Sequence, residues 1–318
     1  MTAKTKILID CDPGHDDAVA ILFAARRFDL VGITTVHGNS SLANTTRNAL
    51  SVMALADIDV PLAAGCAEPL VAKPHQAAEI HGKTGLDGAT LPTATRAPIA
   101  QHAVDFIIEM AHQHRGELVI AMIGPQTNLA VALKREPRLA SWLKEITIMG
   151  GSTTLGNITP AAEFNVYCDP EAAAAVFDCG APLRMMGYNV TRATGFLRAD
   201  IERMKASGKR VASTIADLMA FYLDRQERVY GLTVAPMHDV CALVPYVAPA
   251  LITDIATSVR VELAGTYTRG MTVCDLRGVR ADSTQQIKAA ADANARVALA
   301  AQSRALIDLV IATLMEYP

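Results

Sequence analysis

Aromatic side chains are scarce in this chain: seven Phe, seven Tyr and one Trp make up 5% of 318 residues, although hydrophobic residues together reach 51%. A core without bulky rings must be built from Ala, Val, Leu and Ile, the composition of buried parallel strands. No block of basic residues is present. With 29 Lys and Arg against 32 Asp and Glu the net charge is -3, which excludes the electrostatic footprint of a nucleic-acid partner. No apolar run approaches the roughly twenty residues of a membrane span. The apolar run after Met1 to Lys6 is only Ile7 to Ile9, too short for the core of a signal peptide. Six cysteines, Cys11, Cys66, Cys168, Cys179, Cys241 and Cys274, show no CxxC or other metal-ligand spacing and read as free thiols, so a cytoplasmic protein is expected.

What is present is alternation. Short apolar runs, Lys6 to Ile9, Leu30 to Val36, Glu117 to Ile123, Glu145 to Met149 and Pro182 to Met186, read as buried strands. Between them Asp16 to Phe28, Leu42 to Ala56, His102 to His114, Asn128 to Arg135 and Pro170 to Asp178 carry helical periodicity. This predicts an α/β fold with an open, mostly parallel sheet flanked by helices on both faces. After Gly195 come helices over Ala199 to Ala206 and Val211 to Arg228, a strand-like run at Ser258 to Leu263, and a closing helix from Ser303 to Met315. No linker or repeat divides the chain, so one domain over residues 1–318 is expected.

Ligands of open parallel sheets bind beyond the carboxyl ends of the strands. Here those ends run into polar, Gly-bearing segments: Asp10 to Asp17, His37-Gly38-Asn39, Gly124 to Asn128, and Gly150-Gly151. In the first, Pro13 and Gly14 can turn the chain so that Asp16 and Asp17 meet a helix N-terminus, where negative charge is favoured. Capping needs one such residue. Four carboxylates within eight positions raise one another's pKa unless a cation is present, and Ca²⁺ tolerates irregular loop geometry better than Mg²⁺ does. Metal binding is therefore favoured over capping with solvation.

Asp10 to Asp17, followed by Ala18, resembles the signature of the inosine-uridine preferring nucleoside hydrolases. Further segments match that family in order: His37-Gly38-Asn39, His81 to Gly88, Gly124 to Asn128, Met149-Gly150-Gly151, Ala162 to Asn165 and Met237-His238-Asp239. The ordered set spans nearly the whole chain and is far more specific than any member of it. The resemblance implies a Rossmann-like fold and Ca²⁺-dependent cleavage of ribonucleosides to ribose and nucleobase. It further implies that Asp12, Asp17 and Asp239 hold Ca²⁺ with the carbonyl of Ile123, that Asp16, Asn39, Asn157, Glu163 and Asn165 hold the ribose, and that Met149 lines the sugar pocket. A homodimer or homotetramer is also implied.

N-glycosidic cleavage develops positive charge on the sugar and negative charge on the base, so carboxylates suit one side and hydrogen-bond donors the other. Asp12 is accordingly expected to be the general base toward a calcium-bound water, and His238, beside Asp239, the acid or hydrogen-bond donor to the base. His81, in its Gly-rich loop, is a weaker candidate for substrate contact or lid closure. Tyr222, Gln226 and Tyr230 share a helix face; such a stripe is commonly packing, but Gln226 and Tyr230 resemble positions of pyrimidine-preferring members and favour uridine and cytidine. Tyr188 and Asn189 stand where the family usually has Leu-Asp, and Gln126 where many members have Leu. Two other readings fit part of the pattern: an Asp-x-Asp, Mg²⁺-dependent phosphatase built on Asp10 and Asp12, and a catalytically silent nucleoside-binding protein.

Overall fold

In the computed structural model, residues 4–280, 284–288 and 290–318 are described. Met1 to Ala3, where the segment expected to lack a leader begins, lie outside them. Lys6–Cys11 (β1) alternates its side chains between two buried faces: Ile7, Ile9 and Cys11 join one core, Leu8 the other. That double burial is why the strand is apolar at consecutive positions rather than alternating with polar residues. Asp29–Thr35 (β2), Leu62–Ala64 (β3), Leu118–Met122 (β4), Glu145–Met149 (β5) and Leu183–Met186 (β6) follow the same grammar. The small pair Gly195–Phe196 (β7) and Ala235–Pro236 (β8), the strands Ile252–Thr257 (β9), Val259–Val261 (β10) and Thr272–Cys274 (β11), and Ala295–Ala301 (β12) complete the set among the described residues.

The main sheet has eight strands in the order β3-β2-β1-β4-β5-β6-β12-β9. All pairings are parallel except β12 with β9, so the expected mostly parallel sheet is present with one antiparallel edge. Helices His15–Arg27, Leu42–Leu55, Arg210–Tyr230 and Ser303–Leu314 cover the Ile7 and Ile9 face, while Ala103–Gln113, Thr127–Arg135 and Pro170–Phe177 cover the Leu8 face. No helix among the described residues is long and apolar enough to cross a membrane.

Three strands of the main sheet are not apparent in the sequence. β3 has three residues, too few to show a period. β12, ARVALAA, is diluted by alanine, and β9 carries Asp254, which pairs across the sheet with Arg184 and Arg296. The run expected as a strand at Ser258 to Leu263 does form one, β10, but it pairs with β11 in a separate hairpin.

The consequence for function is at the centre. From β1 the chain goes outward to β2 and β3, then returns to β4 on the other side of β1. Connections leaving neighbouring strands in opposite directions open a crevice beyond their carboxyl ends. Asp12 and Ile123 are the first residues past β1 and β4, where that crevice opens.

Candidate active site

Helix His15–Arg27 begins with Gly14 as its cap, and Asp17 at its third position closes the turn: its carboxylate accepts the Asp12 amide at 3.2 Å and the Gly14 amide at 2.9 Å. Capping and the site therefore share a residue. Asp12 receives the Asn39 amide on Oδ2 at 2.6 Å, and the Asn39 side chain bridges the Asp12 carbonyl (3.2 Å) and Asp17 Oδ2 (3.3 Å). Gly38, at φ 152°, allows this approach, since a Cβ there would sit 2.1 Å from Asp12 Oδ2.

Asp239, on the short helix His238–Cys241, joins from more than two hundred residues away. Asp16, Asp17 and Asp239 each offer a carboxylate oxygen, all within 4.8 Å of one another and all buried. Burial first, and then the charge of Asp17, pushes Asp12 and Asp16 well above the usual carboxylate range. Asp239 is raised by burial and by Asp16, Asp17 and Asp12. Asp17 is raised by burial to about 6 despite its amide donors. Asp12 Oδ1 is buried with no hydrogen-bond partner among the described residues. An all-oxygen donor set this closely spaced, with one carboxylate atom left bare, fits a hard divalent cation, whose oxygen ligands lie about 2.3–2.6 Å from it in the case of Ca²⁺.

Above this floor lies a cavity of about 70 Å³, open on one side to solvent. Asp16, Asn39, Ile123 and Asp239 line it, as do Met149, Asn157, Glu163 and Asn165. His81, Gln226, Tyr230 and His238 line it as well. Of the residues expected to act in catalysis, metal binding or substrate binding, Asp12 and Asp17 alone are not part of the lining.

Most of the polar lining is already braced. The Asn165 amide donates to the Ile123 carbonyl at 3.0 Å and the Met149 carbonyl at 3.1 Å, which ties the ends of β4 and β5 together. Glu163 caps helix Phe164–Cys168, taking the amides of Asn165 (3.0 Å) and Val166 (3.3 Å), and also that of Gly151 at 2.9 Å; burial still raises it to about 7. Asn157 accepts the Phe164 amide at 2.9 Å. His238 Nδ1 lies 2.7 Å from Thr191 Oγ1, and its ring stands 5.7 Å from that of Tyr188. Burial lowers His238 to about 4, so its titration does not fall near neutrality as its ordinary value suggests. Gln226 is buried and Tyr230 40% exposed, so the two project into and over the cavity from one helix face.

Asp10 lies outside this arrangement. Its Oδ1 is held by Thr34 Oγ1 and by Asn128 Nδ2, and it contributes nothing to the cavity. A phosphatase of the Asp-x-Asp type needs that first carboxylate as nucleophile, so the geometry does not support it.

The model of the inosine-uridine preferring nucleoside hydrolases matches residues 7–308. The chain belongs to that family. The pyrimidine-specific ribonucleoside hydrolase RihA of Enterobacter sp. (strain 638) is 41% identical over 273 residues, covering 85% of this chain and 87% of the relative. Among solved structures, the plant nucleoside hydrolase PpNRh1 superposes with a TM-score of 0.89 at 32% identity, covering 98% of this chain and 99% of the other. A purine-preferring ribonucleoside hydrolase from Gardnerella vaginalis follows at TM-score 0.88 and 28% identity, covering 98% of each chain. As a nucleoside hydrolase the chain is an N-glycosyl hydrolase of ribonucleosides.

Several cavity residues of this nucleoside hydrolase carry no motif. Ala77, Ile80 and Ile158 are ordinary apolar residues whose place in the wall depends on loop paths. Tyr188 and Tyr222 also line the cavity; a signal existed for Tyr222, on the same helix face as Gln226 and Tyr230. Asn189, where the family usually has Asp, donates to the Ala298 carbonyl at 3.0 Å and accepts the Thr153 amide at 3.2 Å, a pairing that a carboxylate cannot complete. Gln126 donates to the Gly124 carbonyl at 3.0 Å and steadies the turn before helix Thr127–Arg135.

Proposed function

We propose that this nucleoside hydrolase acts on pyrimidine ribonucleosides, uridine and cytidine, with Ca²⁺ held by Asp12, Asp17, Asp239 and the Ile123 carbonyl. The observation that carries the reading is the buried cluster of Asp16, Asp17 and Asp239, two of them proposed ligands, at a cavity that Gln226, Tyr230 and His238 also line. The pyrimidine preference rests on those wall residues and on the pyrimidine-specific relative; the purine-preferring structural neighbour has the same fold, so the fold itself does not set base preference.

Bound Ca²⁺ supplies positive charge that polarises a water and the sugar hydroxyls. The chain's own residues do the rest. Asp16, Asn39, Asn157, Glu163 and Asn165 hold the ribose, and their braced positions mean little reorganisation accompanies binding. Asp12, with Oδ1 unpaired among the described residues, takes the proton of the attacking water. The anionic cluster stabilises the positive charge that develops on the sugar as the glycosidic bond lengthens. On the other side, neutral His238, oriented through Nδ1 by Thr191, hydrogen-bonds the departing base.

The same reading takes the chain as one domain, acting in the cytoplasm, where its six free thiols are stable, as a homodimer or homotetramer. Reducing-sugar release from uridine, cytidine, inosine and adenosine, measured with Ca²⁺ and again with a chelator, tests the proposal. The expected result is release from the two pyrimidine nucleosides that the chelator abolishes. A strong preference for inosine overturns the base assignment, and release unaffected by chelation overturns the metal.

A further inference from the structure

We propose that Tyr188 is a further substrate-binding residue, whose phenolic hydroxyl donates a hydrogen bond to the acceptor beside the glycosidic nitrogen of the departing base, O2 in a pyrimidine; this rests on the cavity being the nucleoside site. Tyr188 lines that cavity and is 5% exposed. Its hydroxyl has no hydrogen-bond partner among the described residues, and none of the ribose or metal contacts proposed above involves it. A hydroxyl withdrawn from bulk water and left unpaired is costly, so an acceptor that enters the cavity gains by meeting it.

The chain around Tyr188 is braced. It begins the short helix Tyr188–Thr191, and its amide donates to the Gly151 carbonyl at 2.8 Å, which ties the helix to the turn after β5. The next residue, Asn189, is held by the Thr153 amide and the Ala298 carbonyl. Three residues on, Thr191 Oγ1 meets His238 Nδ1, while the Tyr188 ring stands 5.7 Å from the His238 ring and is tilted 35° to it. Residues at that spacing share a helix face, so a single turn orients His238 and sets a phenol beside it. The Arg192 guanidinium carbon lies 5.7 Å from the centre of the Tyr188 ring, a cation–π contact that steadies it.

Burial pushes the phenol above its ordinary 10, with Arg192 opposing and Glu163 adding to the rise, so the group keeps its proton and donates. Tyr230 is likewise raised by burial and then by Tyr188. The hydroxyl is thus within electrostatic reach of Glu163, proposed to hold ribose, and near Tyr230 and His238, proposed to face the base. Only an acceptor at the seam between sugar and base answers both neighbourhoods. In uridine and cytidine that atom is O2, on the carbon next to the glycosidic nitrogen; in purine nucleosides N3 stands in the same place. As the glycosidic bond lengthens, negative charge spreads from that nitrogen onto O2. Hydrogen bonds to anionic acceptors are the stronger ones, so the phenol stabilises the transition state more than the bound substrate. Leu, the residue usual in the family at this position, has no such donor.

Tyr188→Phe keeps the ring against His238 and removes the hydroxyl alone. In the Ca²⁺-loaded enzyme it should lower kcat on uridine by about tenfold with little change in KM, the scale of one hydrogen bond made mainly in the transition state. Tyr188→Leu should lose at least as much. p-Nitrophenyl riboside has no acceptor beside its glycosidic oxygen and a leaving group stable as an anion, so the loss on it should be smaller by about the same tenfold. 5′-Deoxyuridine, which keeps O2, should show the full loss. A uridine kcat within about twofold of wild type in either variant overturns the proposal, as does an equal loss on uridine and p-nitrophenyl riboside. A loss confined to substrates bearing the 5′-hydroxyl also overturns it, by placing the phenol on the sugar. A wild type that cleaves inosine and not uridine defeats the pyrimidine reading instead, and the same ratio, taken on inosine through N3, then decides the role of Tyr188.

Discussion

Gly124 lies against the Asp12 carboxylate: a Cβ on it would stand 2.6 Å from Asp12 Oδ1 and 3.1 Å from both Cγ and the backbone nitrogen of Asp12. The glycine after β4 therefore sets where the last residue of the β1 end can place its charge, across the crevice where the two strands diverge. Gly124→Ala should push the Asp12 side chain out of position while leaving the sheet intact. The expected outcome is a loss of about a hundredfold or more in kcat/KM and weaker calcium binding by calorimetry, because misplacement by even an ångström at a reacting group is that costly. Unchanged kinetics with alanine at 124 would show that the position of Asp12 is not critical.

Asp12→Asn isolates charge from shape. The amide keeps an acceptor for the Asn39 backbone and removes one of several buried like charges, so the metal-free protein should fold and melt at or above the wild-type temperature. Turnover should fall by about 10²-fold or more, the usual scale of a lost general base. Reducing-sugar release and thermal melting on the same preparation check both halves, and near-normal turnover sinks the assignment.

Legibility in the sequence followed the physics of each element. β1, β2, β4, β5 and β6 were readable because burial on both faces demands uninterrupted apolar runs, whereas β12 hides in alanine and β9 carries the charge of Asp254. At the site, the polar residues were legible because carboxylates and glycines at strand ends are costly without a purpose. What sequence cannot show is division of labour. Asn39, expected to hold ribose, also braces Asp12 and Asp17; Glu163, expected to do the same, also caps a helix with both carboxylate oxygens. The apolar lining residues Ile80 and Ile158 left no signal, since nothing distinguishes such residues from core until loops are folded.

Asn189 offers a test of a departure from the family pattern. Its amide matches one donor and one acceptor, Thr153 N–H and the Ala298 carbonyl. Asn189→Asp, which restores the residue usual in the family, leaves a carboxylate facing that carbonyl and should cost about 1–3 kcal/mol. A melting temperature lower by several degrees, with no gain in rate on uridine, is the expected result. Higher activity at unchanged stability would instead mean that the lost carboxylate matters to catalysis.

Asp10 gives the cleanest pH signature because it touches neither cavity nor metal cluster. Burial, opposed by hydrogen bonds from Thr34 and Asn128, raises it from the ordinary 3.8 to about 7. With the folded pKa above the unfolded one, the native state binds the extra proton between those values, so stability falls as pH rises from about 4 to 7 and is level above. Below pH 4 both states are protonated and there is no penalty. Asp10→Asn keeps the Oδ1 acceptor for both partners and removes the titration; its new Nδ2 stands where Oδ2 has no partner, a pH-independent cost. Relative to wild type, the variant should therefore gain stability from pH 5 to pH 8, by at most about 2–4 kcal/mol. Urea unfolding of both proteins at the two pH values, in chelator so that metal binding does not contribute, measures the difference. An equal offset at both pH values, or a larger one at pH 5, would mean that Asp10 is ionised in the native state throughout and that its two hydrogen bonds outweigh its burial.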